Sequence, residues 1–289
     1  ADVTKKLADI SAAGGRIVVL SNTIASPVYE AAIAELKAKY PTVEHVVYDP
    51  VSLSAIRKAN ETTLGDAVIP SYRFDNADVV VGFNCDFLGT WLSPVEFAAQ
   101  YASNKIPSPS NGKKMLRHYQ FQSNVTITGS SADYKIPMKP SREKATLISL
   151  YNAVVAKTGG SPLSGGSDAA REMVAKAAAD LVAANGRALV VCGTNDVDCQ
   201  LITNAINAAL GSYGSTIDTV SDYKLKAGDD AAMAALMADI KSGGVKALIT
   251  LDANPVYNTP GGADIVSAMG QLDLSVSLSN RVDETSSNA

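Results

Sequence analysis

Four short runs of apolar residues set the framework of this chain: 16–20 (RIVVL), 77–83 (ADVVVGF), 187–193 (RALVVCG) and 245–251 (VKALITL). Each is too short for a free helix and is flanked by turn residues, the pattern of a strand buried on both faces of a parallel sheet. Between them the spacing turns helical. Residues 28–40 carry Ala31, Ile33, Ala34, Leu36 and Ala38 and stop before Pro41. Residues 91–101 follow the second run, and 142–157 end at Gly159-Gly160 behind an N-cap at Ser141. An alanine-rich stretch, 167–184, opens on Ser167-Asp168 and closes on Asn185-Gly186, and 229–242 stop at Gly243-Gly244. Weaker extended segments fall at 43–48, 115–121, 133–138, 217–220 and 272–278, with loops at 107–112 and at the Gly/Ser-rich 127–132.

This alternation predicts an α/β protein with two Rossmann-like units, each a mostly parallel sheet flanked by helices. The first unit is expected over residues 1–158 and the second over 167–289, with 159–166 (GGSPLSGG) as a linker or mobile loop. The two halves also resemble each other. Gly15-Arg16 before IVVL matches Gly186-Arg187 before ALVV, VVVGFN ending at Asn84 matches ITLDAN ending at Asn254, and TGSSA from Thr128 matches TSSNA from Thr285. An internal duplication follows, with Asn84 and Asn254 expected to be equivalent. By the same analogy with Asp133, an aspartate is expected to follow Ala289.

The loop after the second run is the first candidate for a ligand-facing surface, because crevices in open α/β sheets lie beyond the carboxyl ends of strands. It offers Gly82 for a tight turn and Asn84 and Asp86 as polar groups, although Asn and Asp after a strand equally serve as turn residues and caps. Phe87, Trp91 and Phe97 suit a core or a contact between domains. Arg117, His118 and Tyr119 put polar groups in a predicted strand, either lining the crevice or facing solvent.

Composition narrows the chemistry. A length of 289 residues suits two domains, and no segment approaches the roughly 20 apolar residues of a membrane-spanning helix, so direct membrane insertion is not expected. With 25 basic and 29 acidic residues and no basic stripe, nucleic acid is an unsuitable partner. Cys85, Cys192 and Cys199 form no CxxC, and His45 and His118 lack partners at ligand spacing, so no metal site is predicted. No Ser/His/Asp set or phosphate-binding glycine loop is recognisable, and no catalytic residue is assigned.

As an ordered set, GDAVIPSYRFDNADVVVGFNCDFLGTW, TGSSADYKIPMKP, Ala253-Asn254-Pro255 and DETSSNA resemble the central domains of the molybdopterin oxidoreductase (dimethyl sulfoxide reductase-like) family. More narrowly, FLGTWLSPVEFA, RHYQFQS and TGSSADYKIPMKPS are similar to the molybdopterin-like large subunits of bacterial alternative complex III. The resemblance implies a pterin-type crevice lined by Gly82, Asn84, Asp86, Thr128, Asp133, Asn254 and Pro255. It also shows departures. Cys85 stands where the family has proline, and Gln122, Ser123 and Asn124 replace the family's D-P-R, removing the carboxylate that would bind guanine.

The expectation is therefore part of a molybdopterin-oxidoreductase-like subunit of a respiratory electron-transfer complex, a docking scaffold that binds no molybdenum cofactor. Its implied partners are other subunits of a membrane-bound complex, including iron–sulfur protein regions. Its implied location is the periplasmic side of the inner membrane, with the cytoplasm as the alternative. Two other readings stay open. One is the central part of an active enzyme that binds molybdopterin guanine dinucleotide, its metal ligand and iron–sulfur cluster lying outside this chain. The other is a two-lobed small-molecule binding protein.

Overall fold

In a computed structural model, which describes residues 2–109, 112 and 114–289, the chain is α/β with two mostly parallel sheets flanked by helices. The strands are β1 (Ile17–Ser21), β2 (Val43–Val47), β3 (Ser71–Tyr72), β4 (Val79–Phe83), β5 (Arg117–Gln122), β6 (Tyr134–Pro137), β7 (Ala188–Cys192), β8 (Ile217–Asp218), β9 (Ala247–Leu251) and β10 (Leu274–Leu278). The α-helices are α1 (Asp2–Ala12), α2 (Pro27–Lys39), α3 (Ser54–Leu64), α4 (Pro94–Lys105), α5 (Ile127–Ser131), α6 (Glu143–Thr158), α7 (Arg171–Ala183), α8 (Val197–Ala209), α9 (Asp230–Lys241), α10 (Pro255–Asn258) and α11 (Gly262–Met269).

The chain does not divide into consecutive halves. Unit 1 comprises Ala1–Ser54 and Lys224–Ala289, and unit 2 is the intervening Ala55–Tyr223. The sheet of unit 1 has the order β10-β9-β1-β2 and that of unit 2 β6-β5-β4-β7, with every neighbour parallel; β3 and β8 form a small antiparallel pair in unit 2. The expected boundary at 159–166 is corrected by this pairing, because β1 bonds to β9 and β4 to β7. The Gly/Ser-rich stretch lies inside unit 2, tied to α6. Asn152 accepts from Leu163 N and donates to Leu163 O, both at 2.8 Å, and Ser149 bonds both N–H and C=O of Ser167. Side-chain amides and hydroxyls thus supply what glycine and serine composition alone does not show.

Each sheet is buried on both faces by residues that alternate along its strands. In β1 of unit 1, Ile17 and Val19 join Leu7 and Ile10 of α1, while Val18 and Leu20 join Leu236 and Ile240 of α9 and Ile265 of α11. In unit 2, Val79, Val81 and Phe83 pack on Leu147 and Leu150 of α6, Leu181 of α7 and Ile206 of α8. The other face holds an aromatic cluster in which Phe74 stacks on Phe87 at 4.2 Å between centroids and Trp91 meets Tyr72 and Phe97. Phe87, Trp91 and Phe97 are thus core residues of unit 2.

Strand β7 is fully buried although it ends the sheet. Side chains stand in for a further strand. Asn207 of α8 accepts from Val190 N at 2.9 Å and donates to Val190 O at 2.8 Å. Ser212 and Thr216 donate to Ala188 O, and Gln200 donates to Cys192 O.

Local boundaries shift for identifiable reasons. The stretch at 127–132 is the short helix α5, nucleated by Thr126, whose hydroxyl accepts from Gly129 N at 3.0 Å. Helix α4 starts at Pro94, leaving Trp91 in the preceding loop. Residues 140–142 form a single 3-10 turn before α6, and α7 begins at Arg171, after Ala170 takes a left-handed conformation. In the loop at 107–112, positions 110 and 111 lie outside the described residues.

The duplication is visible bond by bond, with one correction of register. Asp86 Oδ1 accepts from Thr128 N and Oγ1, as Asn254 Oδ1 does from Thr285 N and Oγ1. Leu88 N donates to Thr128 Oγ1 as Val256 N does to Thr285 Oγ1. The counterpart of Asn254 is therefore Asp86, not Asn84. Asn84 matches Asp252: both follow their strand with positive φ, 42° and 48°, and donate N–H to Phe121 O and Leu278 O. The shared "AN" and "FN" letters misaligned the strands by two residues.

Candidate functional site

In each sheet the connection reverses direction at one place, where an α/β ligand crevice is expected. In unit 2 this switch lies between β4 and β7. The loops that leave the two strands touch there: a Cβ on Gly193 would come within 2.3 Å of Asn84 O and 2.9 Å of Cys85 Cα. Glu143, the buried first residue of α6, fills the gap. Its Oε2 accepts from Asn84 Nδ2 at 2.6 Å, and its Oε1 accepts from the Thr194 hydroxyl and the Cys192 thiol. Asn84 Oδ1 accepts from Ser123 N at 2.8 Å, so both ends of that amide are engaged.

The other crevice residues of unit 2 separate into local roles. Gly82 does not make the tight turn expected of it. It lies within β4, and its missing side chain leaves room for Gln120, whose Oε1 would sit 2.1 Å from a Cβ there. Asp86 and Thr128 do come together, bonding each other at 2.7 Å. Asp133 stands apart at the amino-terminal edge of the sheet, where it accepts from His118 N and pairs with Lys105. Gln122 is buried, accepts from Thr126 Oγ1 at 3.1 Å and lies over Gly129, where a Cβ would fall 1.9 Å from its amide nitrogen.

Of the polar cluster at 117–119, His118 is buried and lines neither crevice nor surface. Its Nε2 faces Gln120 Oε1 at 3.1 Å and its Nδ1 faces the Tyr101 hydroxyl at 3.1 Å. Gln120 Nε2 donates to Cys85 O, which orients the amide and makes Nε2 the protonated nitrogen of the neutral ring. Burial lowers the His118 pKa to about 4 and raises that of Tyr101. Burial also pushes the thiols of Cys85, Cys192 and Cys199 upward, away from thiolate chemistry. Arg117 and Tyr119 instead bond Asp180 of α7.

Unit 1 is built differently at its switch, between β1 and β9. A cavity of about 1130 Å³ opens beyond the strand ends, lined by Asn22, Asp252, Asn254, Tyr257, Arg281 and Glu284, among others. Asn254 is held from two sides: it accepts from Thr285 and donates to Glu284 at 2.7 Å, a bond that lowers the Glu284 pKa. Pro255 is buried as the first residue of α10.

A pterin dinucleotide does not fit the unit 2 crevice as these residues stand. Asn84 spends both ends of its amide on Glu143 and Ser123, Asp86 Oδ1 is taken by Thr128 and Gln122 Oε1 by Thr126, and the Glu143 carboxylate lies between the two loops. In unit 1 the space is present, but its lining carries Asp252, Asp283 and Glu284 with Arg281 as the cation among the described residues, an acidic balance unsuited to a dianion. Among the described residues no group of three or more His, Cys, Asp or Glu is placed to hold a metal ion, and no helix is long and apolar enough to cross a membrane.

Glu143, Gly193 and Thr194 were not singled out from the sequence. The signal that locates all three is the pairing of β7 with β4, a contact between segments 109 residues apart at Val79 and Ala188.

No protein-family model matches the sequence, and no curated protein matches it. Among solved structures the chain is similar to acetylene hydratase from Pelobacter acetylenicus, with a TM-score of 0.68 at 11% identity, over 96% of this chain and 49% of that one. It is also similar to the formyltransferase/hydrolase complex (FhcABCD) from Methylorubrum extorquens in complex with methylofuran, with a TM-score of 0.57 at 15% identity, over 99% of this chain and 82% of that one. The chain thus spans about half the length of the acetylene hydratase chain. At these identities the likeness is one of fold.

Proposed function

We propose that this chain is part of a molybdopterin-oxidoreductase-like subunit of a respiratory electron-transfer complex, and that it acts there as a docking scaffold without a molybdenum cofactor of its own. The observation that carries the reading is the closure of the unit 2 crevice by Glu143, Asn84 and Thr194. The fold likeness to acetylene hydratase supports the molybdopterin-oxidoreductase side of it. The ordered motifs, from FLGTWLSPVEFA to TGSSADYKIPMKPS, support the respiratory side. Its partners would be the other subunits of a membrane-bound complex and their iron–sulfur regions, on the periplasmic face.

A second reading is an active molybdopterin-dependent oxidoreductase whose metal ligand and cluster lie outside this chain; the size of the unit 1 cavity speaks for it and the acidic lining against it. Turnover of the full-length protein in its complex separates the two. Asn84→Gly, which keeps the backbone angle, and Asn254→Ala are expected to leave electron-transfer turnover unchanged. Loss of turnover in folded, assembled Asn84→Gly or Asn254→Ala protein would favour the second reading.

A further inference from the structure

We infer that the switch-point crevice of unit 2 is an anion site whose occupant is the chain's own Glu143 carboxylate. The contacts are those of a bound carboxylate: neutral donors address each oxygen separately, Asn84 Nδ2 at Oε2 and the Thr194 hydroxyl and Cys192 thiol at Oε1. The neighbouring cation does not supply the charge, since Lys144 is spent on Asp196 and Asp198. What remains is a buried anion held by dipoles and by the positive end of α6, the arrangement that helix N-termini and loop donors offer to external anions. The donors converge from the loop after β4 and the loop after β7, so the carboxylate also fastens the two loops whose backbones meet at Gly193. The space is small. Two donor-addressed oxygens and the close approach of Gly193 to Asn84 suit a planar monocarboxylate rather than a tetrahedral phosphate.

The inference concerns the crevice on which the proposed function rests, and it is tested by chemical rescue. Glu143→Ala should lower the thermal midpoint of the purified protein by roughly 5–10 °C, the scale expected for losing several buried bonds in a chain of this size. Sodium formate or acetate should then raise the midpoint with concentration, as a ligand specific to the folded state does. Sodium chloride at the same ionic strength should not, and the unsubstituted protein should respond to none of them. Folded Glu143→Ala protein that formate and acetate stabilise no more than chloride would overturn the inference, and a stronger response to phosphate would overturn the assignment to carboxylates. If Glu143→Ala does not fold, Glu143→Gln keeps the volume and removes the charge. A lowered midpoint for Glu143→Gln supports the inference and an unchanged one overturns it. Molybdenum or pterin in the full-length protein would defeat the proposed function and leave a positive rescue standing, so the two can fail separately.

Discussion

Asn207→Ala is expected to lower the unfolding free energy by about 3 kcal/mol, because it strips both backbone groups of Val190 of their partner inside the core. A buried N–H or C=O left without a hydrogen bond costs about 1–3 kcal/mol, and this substitution orphans one of each while also removing buried volume. Asn207 is about 1% exposed, and Val190 is fully buried, so water does not readily replace the lost bonds. Asn207→Asp should be at least as damaging, since it retains an acceptor for Val190 N–H but buries an unpaired carboxylate against Val190 C=O. Denaturant unfolding of the three proteins decides the matter: a loss below about 1 kcal/mol for Asn207→Ala would mean that the edge of β7 does not depend on this side chain.

Acid should destabilise unit 2 through His118. The folded-state pKa of about 4 lies below the unfolded value near 6.5, so the folded protein favours the neutral ring. That contribution is fully present above about pH 6.5 and is lost progressively as pH falls toward 4, because the unfolded chain takes up the proton first. The gap corresponds to about 3 kcal/mol in full. The groups facing the ring are Gln120 on the next inward position of β5, Tyr101 and Lys105 of α4, Phe87 and Asp133. Lys105 and Asp133 act in opposite senses, and desolvation dominates. His45, also lowered by burial, pushes in the same direction. Unfolding free energies of the native protein and of His118→Phe, which keeps His45, should therefore diverge in slope between pH 6.5 and 4. Parallel curves would show that His118 is not the acid-sensitive group.

The strands were legible because a run such as Val79–Phe83 is apolar on both faces whatever its neighbours are. Their pairing was not, because Ile17 with Ala247 joins segments 230 residues apart, and the same runs are equally compatible with two consecutive sheets. This is why unit 2 sits inserted within unit 1 where consecutive halves were expected. The crevice was legible in place but not in state. Asn84 and Asp86 were found because Asn and Asp after a buried strand stand out. That Glu143 closes the gap depends on a helix arriving 59 residues later. Gly82 shows the opposite error. Its glycine reads as backbone freedom, yet the requirement comes from Gln120, a packing partner on the adjacent strand. Polar residues inside helices, such as Asn207, read as surface until the edge strand they serve is known.

Molybdenum and pterin content of the purified full-length protein tests the docking-scaffold reading most directly. Metal analysis together with fluorescence of oxidised pterin extracts should return neither in stoichiometric amount. Molybdenum or pterin near one equivalent per chain would contradict it.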